Sequence, residues 1–333
     1  MQTDHSVLAE IEALGSRMTE IRNQVGRAVI GQAEVVEQAL VTLLAGGHML
    51  LVGVPGLGKS LLVETLAVVL GLATKRVQFT PDLMPADILG SEILDDAEAG
   101  SAAGAGRRFR FVPGPVFCQL LMADEINRAS PRTQSALLQA MQEGRVAIAG
   151  AEHPLPRPFH VLATQNPIEQ EGTYPLPEAQ LDRFLLEIEV RYPSLAEERA
   201  MLLATTGVAR DRPAAVLTAE GLLAAQQLIR RIPVGESVVE AILALVRRTR
   251  PEASDDQAVT RHVAWGAGPR AAQALMLATR ARAVLDGRLS PSIDDVAALA
   301  PAVLRHRMAL NFSARADGVT LPGLIGGLVD QLG

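Results

Sequence analysis

Apolar residues recur every three or four positions near the start of the chain. They are Leu8, Ile11, Leu14, Met18, Ile21 and Val25. This spacing places them on one face of an α-helix. We therefore predict an amphipathic helix within residues 1–28 that packs its apolar stripe on the main domain; a helix that binds a partner is the alternative. A second helix is predicted from Gln32 through Leu44.

Five short apolar runs farther along the chain have the length and composition of buried β-strands. They are the segments 48–52, 74–80, 117–123, 159–164 and 184–190. Four of the five are separated by helical patterns, and such crossover connections join parallel strands. The predicted fold class is α/β, an αβα sandwich with a five-stranded, mainly parallel sheet within residues 29–193.

Two insertions interrupt this alternation, at about 90–115 and about 145–156. The first contains a glycine- and alanine-rich tip at 100–106, which we expect to be flexible. The alternation of Phe109 and Phe111 after that tip indicates a strand that returns to the core. The second insertion has alternating apolar residues, a glycine and several prolines, which predict a β-hairpin.

Two helix starts carry clear sequence signals. Ser130 is a capping residue, Pro131 fits the first helical position, and Gly144 fits the position after the helix. Ser194 and Glu197 have the spacing of a capping box. From residue 194 onward the pattern is helical, with helices predicted over 194–206, 218–231, 236–249, 269–285 and 292–307. Residues 194–333 are therefore predicted to form a small all-α domain.

Composition and charge limit the possible functions. The chain has 333 residues, a net charge of −6, 3% aromatic residues and one cysteine. The acidic balance argues against a protein whose main task is to bind nucleic acid. A single cysteine, Cys118, excludes an internal disulfide framework. Because no apolar run approaches the roughly 20 residues that span a bilayer and no secretory signal is visible, we expect a cytoplasmic protein without membrane insertion.

The phosphate-binding pattern G-x-x-x-x-G-K-S/T is matched at every fixed position by residues 53–60. An apolar strand precedes this loop and a helical pattern starting at Leu61 follows it, which is the context that the motif needs. Backbone N–H groups of such a loop curl around a phosphate, and the helix N-terminus favours the anion. The alternative is a glycine-rich turn that fits by chance. The residues expected to bind nucleotide here are Gly53, Pro55, Gly56, Leu57, Gly58, Lys59, Ser60 and Leu61.

Two carboxylates end a later apolar strand, 120–123. Asp124 can hold Mg²⁺, directly or through water, together with Ser60, because Mg²⁺ prefers oxygen ligands and keeps several waters. Glu125 can polarise the water that attacks the γ-phosphate. Two solvated carboxylates in a loop are the alternative. A third polar residue, Asn166, follows the strand 159–164. In a sheet of the usual strand order it sits between the P-loop strand and the acidic strand. Its amide can then orient the attacking water or sense the γ-phosphate, although Asn-Pro alone is ordinary turn chemistry.

These residues, in this order, resemble those of an AAA+ ATPase. Three segments narrow the resemblance to the MoxR-like group: Asp-Glu-Ile-Asn-Arg-Ala at 124–129, Thr-Gln-Asn-Pro-Ile-Glu at 164–169, and Leu-Pro-Glu-Ala-Gln-Leu-Asp-Arg-Phe at 176–184. The insertions are similar to that group's helix-2 insert and its pre-sensor-1 hairpin. The resemblance covers about residues 25–310. It implies a P-loop αβα domain followed by a small all-α lid domain.

The resemblance implies a role for each matching residue. Residues 53–60 would be Walker A, Asp124 and Glu125 Walker B, and Asn166 sensor 1. Arg183 stands where the family places an arginine finger, which acts on the ATP of a neighbouring subunit. An exposed surface arginine paired with a nearby acid is the alternative. Ile30 and Gly31 resemble the segment that lies against adenine.

Arg270 matches the sensor 2 position, within the segment Gly-Ala-Gly-Pro-Arg at 266–270. Family members usually have Ser before that proline, whereas this chain has Gly268. The resemblance fits action of Arg270 on its own ATP or on a neighbour's, and an arginine on a helix surface is the alternative.

The function implied is an ATP-hydrolysing ring, expected to be a homohexamer, that uses ATP and Mg²⁺ to remodel or mature client proteins or to assist cofactor insertion. A protein with a von Willebrand factor A domain is a partner that the resemblance suggests. Three alternatives stand beside it: a motor that depends on nucleic acid, a motor subunit like that of magnesium chelatase, and a nucleotide-bound scaffold without hydrolysis.

Overall fold

The computed structural model describes residues 2–95, 108–168, 172–206 and 213–332. Side chains are described for these residues except 2–9, 95 and 108. The predicted flexible tip at 100–106, the side chain of Leu8 and Glu169 of the second family segment lie outside the described residues.

Five parallel strands form the central sheet, in the order β2 (Thr74–Gln78), β5 (Leu120–Asp124), β8 (His160–Gln165), β1 (Met49–Val52) and β9 (Leu186–Glu189). They overlap the five predicted runs, so the predicted α/β class with a mainly parallel sheet is confirmed. Strand β8, which precedes Asn166, lies between the P-loop strand β1 and the acidic strand β5, as expected. The strands described are β1 (Met49–Val52), β2 (Thr74–Gln78), β3 (Gly90–Asp95), β4 (Arg108–Pro113), β5 (Leu120–Asp124), β6 (Arg145–Ile148), β7 (Ala151–Pro154), β8 (His160–Gln165), β9 (Leu186–Glu189), β10 (Val263–Trp265) and β11 (Ala309–Leu310).

Helices surround the sheet and make up most of the chain after β9. The helices described are α1 (Gln2–Ala28), α2 (Ala33–Leu44), α3 (Lys59–Val69), α4 (Pro85–Leu89), α5 (Pro131–Glu143), α6 (Glu178–Leu181), α7 (Leu195–Thr205), α8 (Ala219–Arg230), α9 (Glu236–Arg248), α10 (Gln257–His262), α11 (Pro269–Leu285), α12 (Ile293–Leu304), α13 (Phe312–Ala316) and α14 (Leu321–Val329). Short 3₁₀ turns follow β5 at Ile126–Arg128 and α12 at Arg305–Arg307.

Alternating residues of the strands pack against different layers, because successive side chains of a strand point to opposite faces. Met49 and Leu51 of β1 lie in the apolar cluster formed with α1, α2 and α3. Leu50 lies in the other cluster, with α5. The stripe of α1 from Ile11 to Val25 is buried in the first cluster, and so are apolar residues of α8, α9, α11, α12 and α14. The late helices are thus continuous with one face of the sheet.

Both predicted insertions contain antiparallel hairpins. Strand β3 pairs with β4, and β6 pairs with β7. Phe111 of β4 stacks on the ring of His153 of β7, with centroids 3.9 Å apart. Phe109, on the first hairpin, is 69% exposed. The second predicted hairpin is confirmed, and so is a strand after the glycine-rich tip. The exposure of Phe109 shows that this strand does not carry both phenylalanines into the core. The two hairpins contact each other.

The predicted helix starts are confirmed by their hydrogen bonds. The Ser130 hydroxyl accepts the N–H of Thr133, and Gly144 ends α5 with a left-handed φ of 64°. Ser194 and Glu197 form a reciprocal capping box at the start of α7.

Within residues 194–206 and 213–332, the predicted all-helical segment departs from helix at the antiparallel pair β10–β11. Its strands are three and two residues long, too short for an alternating pattern to be visible in sequence. In the described part of the chain, helices long enough to cross a bilayer lack the necessary apolar character.

Candidate functional site

The P-loop joins β1 to α3 and has the backbone that its glycines permit. Gly56 and Gly58 have φ angles of +84° and +75°, which favour glycine, and open space lies where a Cβ would stand. Gly53 has a different reason to be glycine, because a Cβ there would lie 2.6 Å from the carbonyl oxygen of Val190. The loop therefore follows the edge of the sheet closely and leaves room on its outer side for a phosphate.

Lys59 is the first residue of α3 and its side chain turns back over the loop. Its Nζ donates to the carbonyl oxygen of Gly53 at 2.5 Å. Burial lowers the pKa of Lys59, while the charges of Asp124 and Glu125 oppose that shift. A partly desolvated ammonium group over a concave loop is suited to bind an anionic phosphate.

The two predicted carboxylates lie at the end of β5, where the chain turns. Thr164 of β8 joins them, since its hydroxyl donates to Asp124 Oδ1 at 2.5 Å and accepts the N–H of Glu125 at 2.8 Å. Glu125 has a left-handed backbone, with φ 55° and ψ 50°. Such a conformation is uncommon for a residue other than glycine and is enriched at functional sites. The turn places both acids at the carboxyl edge of the sheet.

Two contacts to these acids come from β2 and were missed in the sequence. Arg76 forms an ion pair with Asp124, and Gln78 donates to Glu125 Oε2 at 2.7 Å. Arg128 donates to the same Glu125 oxygen at 3.1 Å. The available signal was the pair of polar residues at positions i and i+2 of a strand next to the acidic strand, because such residues share one face.

Asn166 lies at the carboxyl end of β8, between the P-loop strand and the acidic strand. It is buried, and its side-chain oxygen accepts the N–H of Ile168 at 3.1 Å. This bond fixes the direction of the amide. The predicted neighbourhood of Asn166, Asp124 and the P-loop at one edge of the sheet is therefore present.

A cavity of about 320 Å³ opens beside the P-loop. Gln32 closes part of it, since its Nε2 donates to the carbonyl oxygen of Leu57 at 2.6 Å. Of the two predicted adenine contacts, Ile30 lines this cavity, whereas Gly31 lines an adjacent one. A Cβ on Gly31 would lie 2.8 Å from Glu197 Cβ, so packing explains that glycine. Other residues that line the first cavity are Val29, Pro55, Gly56, Gly58, Leu61, Tyr192 and Met201.

The residues present fit a magnesium ion that is bound mainly by nucleotide and water. Ser60 is the second residue of α3, and Asp124 ends β5. Among the described residues no group of three or more His, Cys, Asp or Glu side chains is arranged to hold a metal by itself. Mg²⁺ usually takes one or two protein ligands plus phosphate oxygens and water, and a hydroxyl and a carboxylate match that need.

Arg183 and Arg270 lie together at the opposite, amino edge of the sheet. Both line a cavity of about 260 Å³ with residues 46–48, which precede β1. The N–H of Leu185 donates to the carbonyl oxygen of His48 at 2.8 Å. From His48 to Gly53 the chain advances five residues, or about 16 Å at about 3.3 Å per residue. An arginine side chain at the amino edge does not span that distance to the P-loop of its own subunit.

The acid next to Arg183 is not its partner. Asp182 accepts from Arg270 Nη1 at 3.3 Å and from Arg307 Nε at 2.7 Å. Among the described residues, no carboxylate forms an ion pair with Arg183. Arg307 was not identified from the sequence. The chain has 31 Lys and Arg residues, of which two are Lys, and no sequence pattern marks one of the 29 arginines as buried.

Comparisons with known proteins agree with this geometry. A sequence model of the ATPase family associated with various cellular activities (AAA) matches residues 48–186, and one of the AAA lid domain matches residues 255–323. The chain is 43% identical to Chaperone MoxR1 of Mycobacterium tuberculosis, over 94% of this chain and 80% of that protein. It is 33% identical to Protein MoxR of Methylorubrum extorquens, over 86% of each chain. The crystal structure of a candidate ATPase from Cytophaga hutchinsonii aligns with a TM-score of 0.88 and 35% identity, covering 99% of this chain and 97% of the other.

Proposed function

This chain belongs to the MoxR-type family of AAA ATPases, and from this premise we propose that it hydrolyses ATP at the boundary between two copies of itself. One observation carries the proposal. The P-loop, Asp124 and Glu125 lie at one edge of the sheet, whereas Arg183 and Arg270 lie at the other. A second copy is needed to bring the two sets together.

Phosphoryl transfer spreads negative charge over the γ-phosphate oxygens, so catalysis depends on positioning and on cations. An arginine that stabilises this charge in the transition state raises kcat by a factor on the order of 10³–10⁵. Arg183 of one subunit supplies it to the ATP of the next, and Arg270, held beside it through Asp182, acts on the same neighbour. A closed ring, with a hexamer as the expected size, gives every ATP such a neighbour.

The residues at the P-loop edge have separate tasks. The backbone of residues 53–60 and Lys59 bind the phosphates, and Ile30 and its cavity bind the base. Ser60 and Asp124 hold Mg²⁺, which neutralises phosphate charge when bound. Glu125 orients the attacking water, and Asn166 reports the γ-phosphate. Because Glu125 is hydrogen-bonded to Gln78 and Arg128, its carboxylate must turn from these partners to reach the water.

The protein uses hydrolysis to remodel a client protein, in the manner of a chaperone. The two stacked hairpins support this part of the proposal, because Phe109, Ile93 and Leu94 leave apolar surface exposed on the first of them. The stacking of Phe111 on His153 joins the two hairpins into one surface. Maturation of a protein complex or insertion of a cofactor, beside a partner with a von Willebrand factor A domain, is the client process that the family suggests.

Mixing two inactive variants tests the shared site. Arg183→Ala removes the finger but leaves the P-loop edge intact, and Glu125→Gln does the reverse. Random assembly of equal amounts places an intact finger against an intact P-loop edge at about a quarter of the boundaries. The mixture should therefore recover up to about that share of the wild-type turnover, measured as phosphate release. Co-assembly without any recovery would refute the shared site.

A further inference from the structure

Arg307 is a buried arginine whose whole hydrogen-bonding capacity is used on one short segment and its own helix. It is 4% exposed and lies in the 3₁₀ turn after α12. Its Nε donates to Asp182 Oδ1 at 2.7 Å, its Nη2 donates to the carbonyl oxygens of Asp182 and Phe184 at 3.2 and 2.6 Å, and its Nη1 donates to those of Leu185 and Val303 at 3.1 and 2.7 Å. Four of these five acceptors belong to residues 182–185, the segment that carries Arg183.

Three carbonyl groups of that segment accept hydrogen bonds from Arg307. The segment connects α6 to β9, and its N–H groups are bonded within the turn or, for Leu185, to His48. Its carbonyl groups bind the late helices instead, since His306 Nε2 also lies 3.1 Å from the carbonyl oxygen of Phe184. Buried carbonyl groups need partners, and loss of a charged donor leaves several of them unsatisfied at once. Arg307 therefore stabilises the conformation of residues 182–185.

The same contacts fix Arg270. Asp182 accepts from Arg307 through Oδ1 and from Arg270 through Oδ2, at 3.3 Å. Arg183, between Asp182 and Phe184, is left without a carboxylate partner among the described residues. A single buried guanidinium thus holds one arginine through a shared acid and the other through its backbone, and both face the same cavity.

We propose that Arg307 is a positioning residue that sets the Arg183 and Arg270 pair for action on the neighbouring subunit. The proposal rests on the proposed function, a site shared between copies. Since Arg307 belongs to the turn after α12, the late helical domain holds the arginine pair that its subunit presents. A displacement of about 1 Å in such a group is enough to cost about 10²-fold in rate.

The test uses Arg307→Lys, which keeps the cation beside Asp182 but lacks the planar fork that reaches several carbonyl groups. We expect kcat to fall by about 10²-fold, with the dissociation constant for a non-hydrolysed ATP analogue unchanged. The matched control is Arg305→Met in the same turn. Arg305 pairs with Glu189 at 3.4 Å, outside the segment, and this variant should keep wild-type turnover.

Mixing separates a positioning role from a general loss of structure. Arg307→Lys with Glu125→Gln should recover activity, because the first variant keeps its own P-loop edge and the second supplies a well-placed finger. Arg307→Lys with Arg183→Ala should recover none, because both lack a working finger. Recovery in the second mixture, or none in the first, overturns the proposal. Failure of Arg307→Lys to assemble while Arg305→Met assembles also overturns it, because Arg307 would then serve assembly.

The control mixture of Arg183→Ala with Glu125→Gln distinguishes a failure of the inference about Arg307 from a failure of the shared site. If it recovers activity while Arg307→Lys with Glu125→Gln does not, the inference about Arg307 fails alone. If the control mixture itself recovers nothing although both variants co-assemble, the shared site fails.

Discussion

Acid should destabilise the protein through two histidines near the amino edge of the sheet, the buried His160 and the half-buried His48. His160 Nδ1 donates to the carbonyl oxygen of Gly47 at 2.7 Å, and its Nε2 lies 3.0 Å from the side-chain amide of Gln226. That amide also donates to Leu43. His48 Nδ1 accepts the N–H of Val161 at 3.0 Å. Each ring therefore accepts a hydrogen bond at the nitrogen that a second proton would occupy.

Both pKa values are strongly lowered. Burial, and then the neighbouring His160, lowers the pKa of His48 from 6.5 to about 3, and burial lowers that of His160 from 6.5 to about 4. The unfolded chain thus binds two protons, between pH 6.5 and about 4, that the native protein does not. Stability is complete above pH 6.5 and falls as the pH falls below it.

The loss of stability follows from the difference between the unfolded and folded pKa values of each histidine. Between those two pKa values each histidine lowers the free energy of unfolding by about 1.4 kcal/mol per pH unit. At pH 5.0, one and a half units below 6.5, each costs about 2 kcal/mol and the pair about 4 kcal/mol. The whole free energy of unfolding of a domain is about 5–15 kcal/mol. His306, whose pKa burial lowers well below 6.5, adds to the loss in the same direction.

The assay is urea unfolding followed by circular dichroism at pH 7.5 and 5.0, for wild type and His160→Gln. The variant has one titrating histidine fewer, so its loss between the two pH values should be about 2 kcal/mol smaller than that of wild type, whatever its stability at pH 7.5. An equal loss in both proteins would refute the assignment of His160 as buried and neutral.

Three further substitutions have defined outcomes. Lys59→Ala should weaken ATP binding by at least tenfold in equilibrium titration, because it removes the cation over the P-loop; unchanged affinity would contradict that role. Gly53→Ala should lower the melting temperature and ATP affinity together, because its Cβ would lie 2.6 Å from the Val190 carbonyl oxygen; a variant like wild type in both would show that the contact relaxes freely. Asp295, fully buried, accepts from Arg282 and Arg288 at 2.6 Å each. Asp295→Ala should cost about 3–5 kcal/mol in urea unfolding, since removal of one partner leaves buried charge unpaired; a loss below about 1 kcal/mol would count against the network.

Much of the architecture was predictable because the hydrophobic period, the length of the segment and the neighbouring motif indicated the same type of element. The apolar runs around β1, β5 and β8 are short and follow turn signals, and the P-loop pattern demanded a strand before it and a helix after it. The carboxyl ends of neighbouring parallel strands meet at one edge, so Asp124 and Asn166 could be placed together. The ends of α5 followed from Ser130, Pro131 and Gly144, whose conformational preferences are local.

Contacts that depend on three-dimensional position were not predictable. The burial of Arg307 depends on α12 ending against residues 182–185, and its sequence neighbours Arg305 and His306 give no sign of this. The β10–β11 pair is too short to show a period. Gly31 has a left-handed φ and lies against Glu197, a packing reason for glycine that the sequence alone does not show. Arg76 and Gln78 act through register with β5, which a strand pattern alone does not fix.

The dependence of turnover on protein concentration tests the shared site most directly. Phosphate release per subunit should be measured with saturating ATP and Mg²⁺ across a dilution series, with the assembly state followed by light scattering in the same samples. Turnover per subunit should fall steeply where the assembly dissociates, because a lone subunit presents its P-loop edge without a neighbour's Arg183. A monomeric protein that hydrolyses ATP at the undiluted rate would contradict the account.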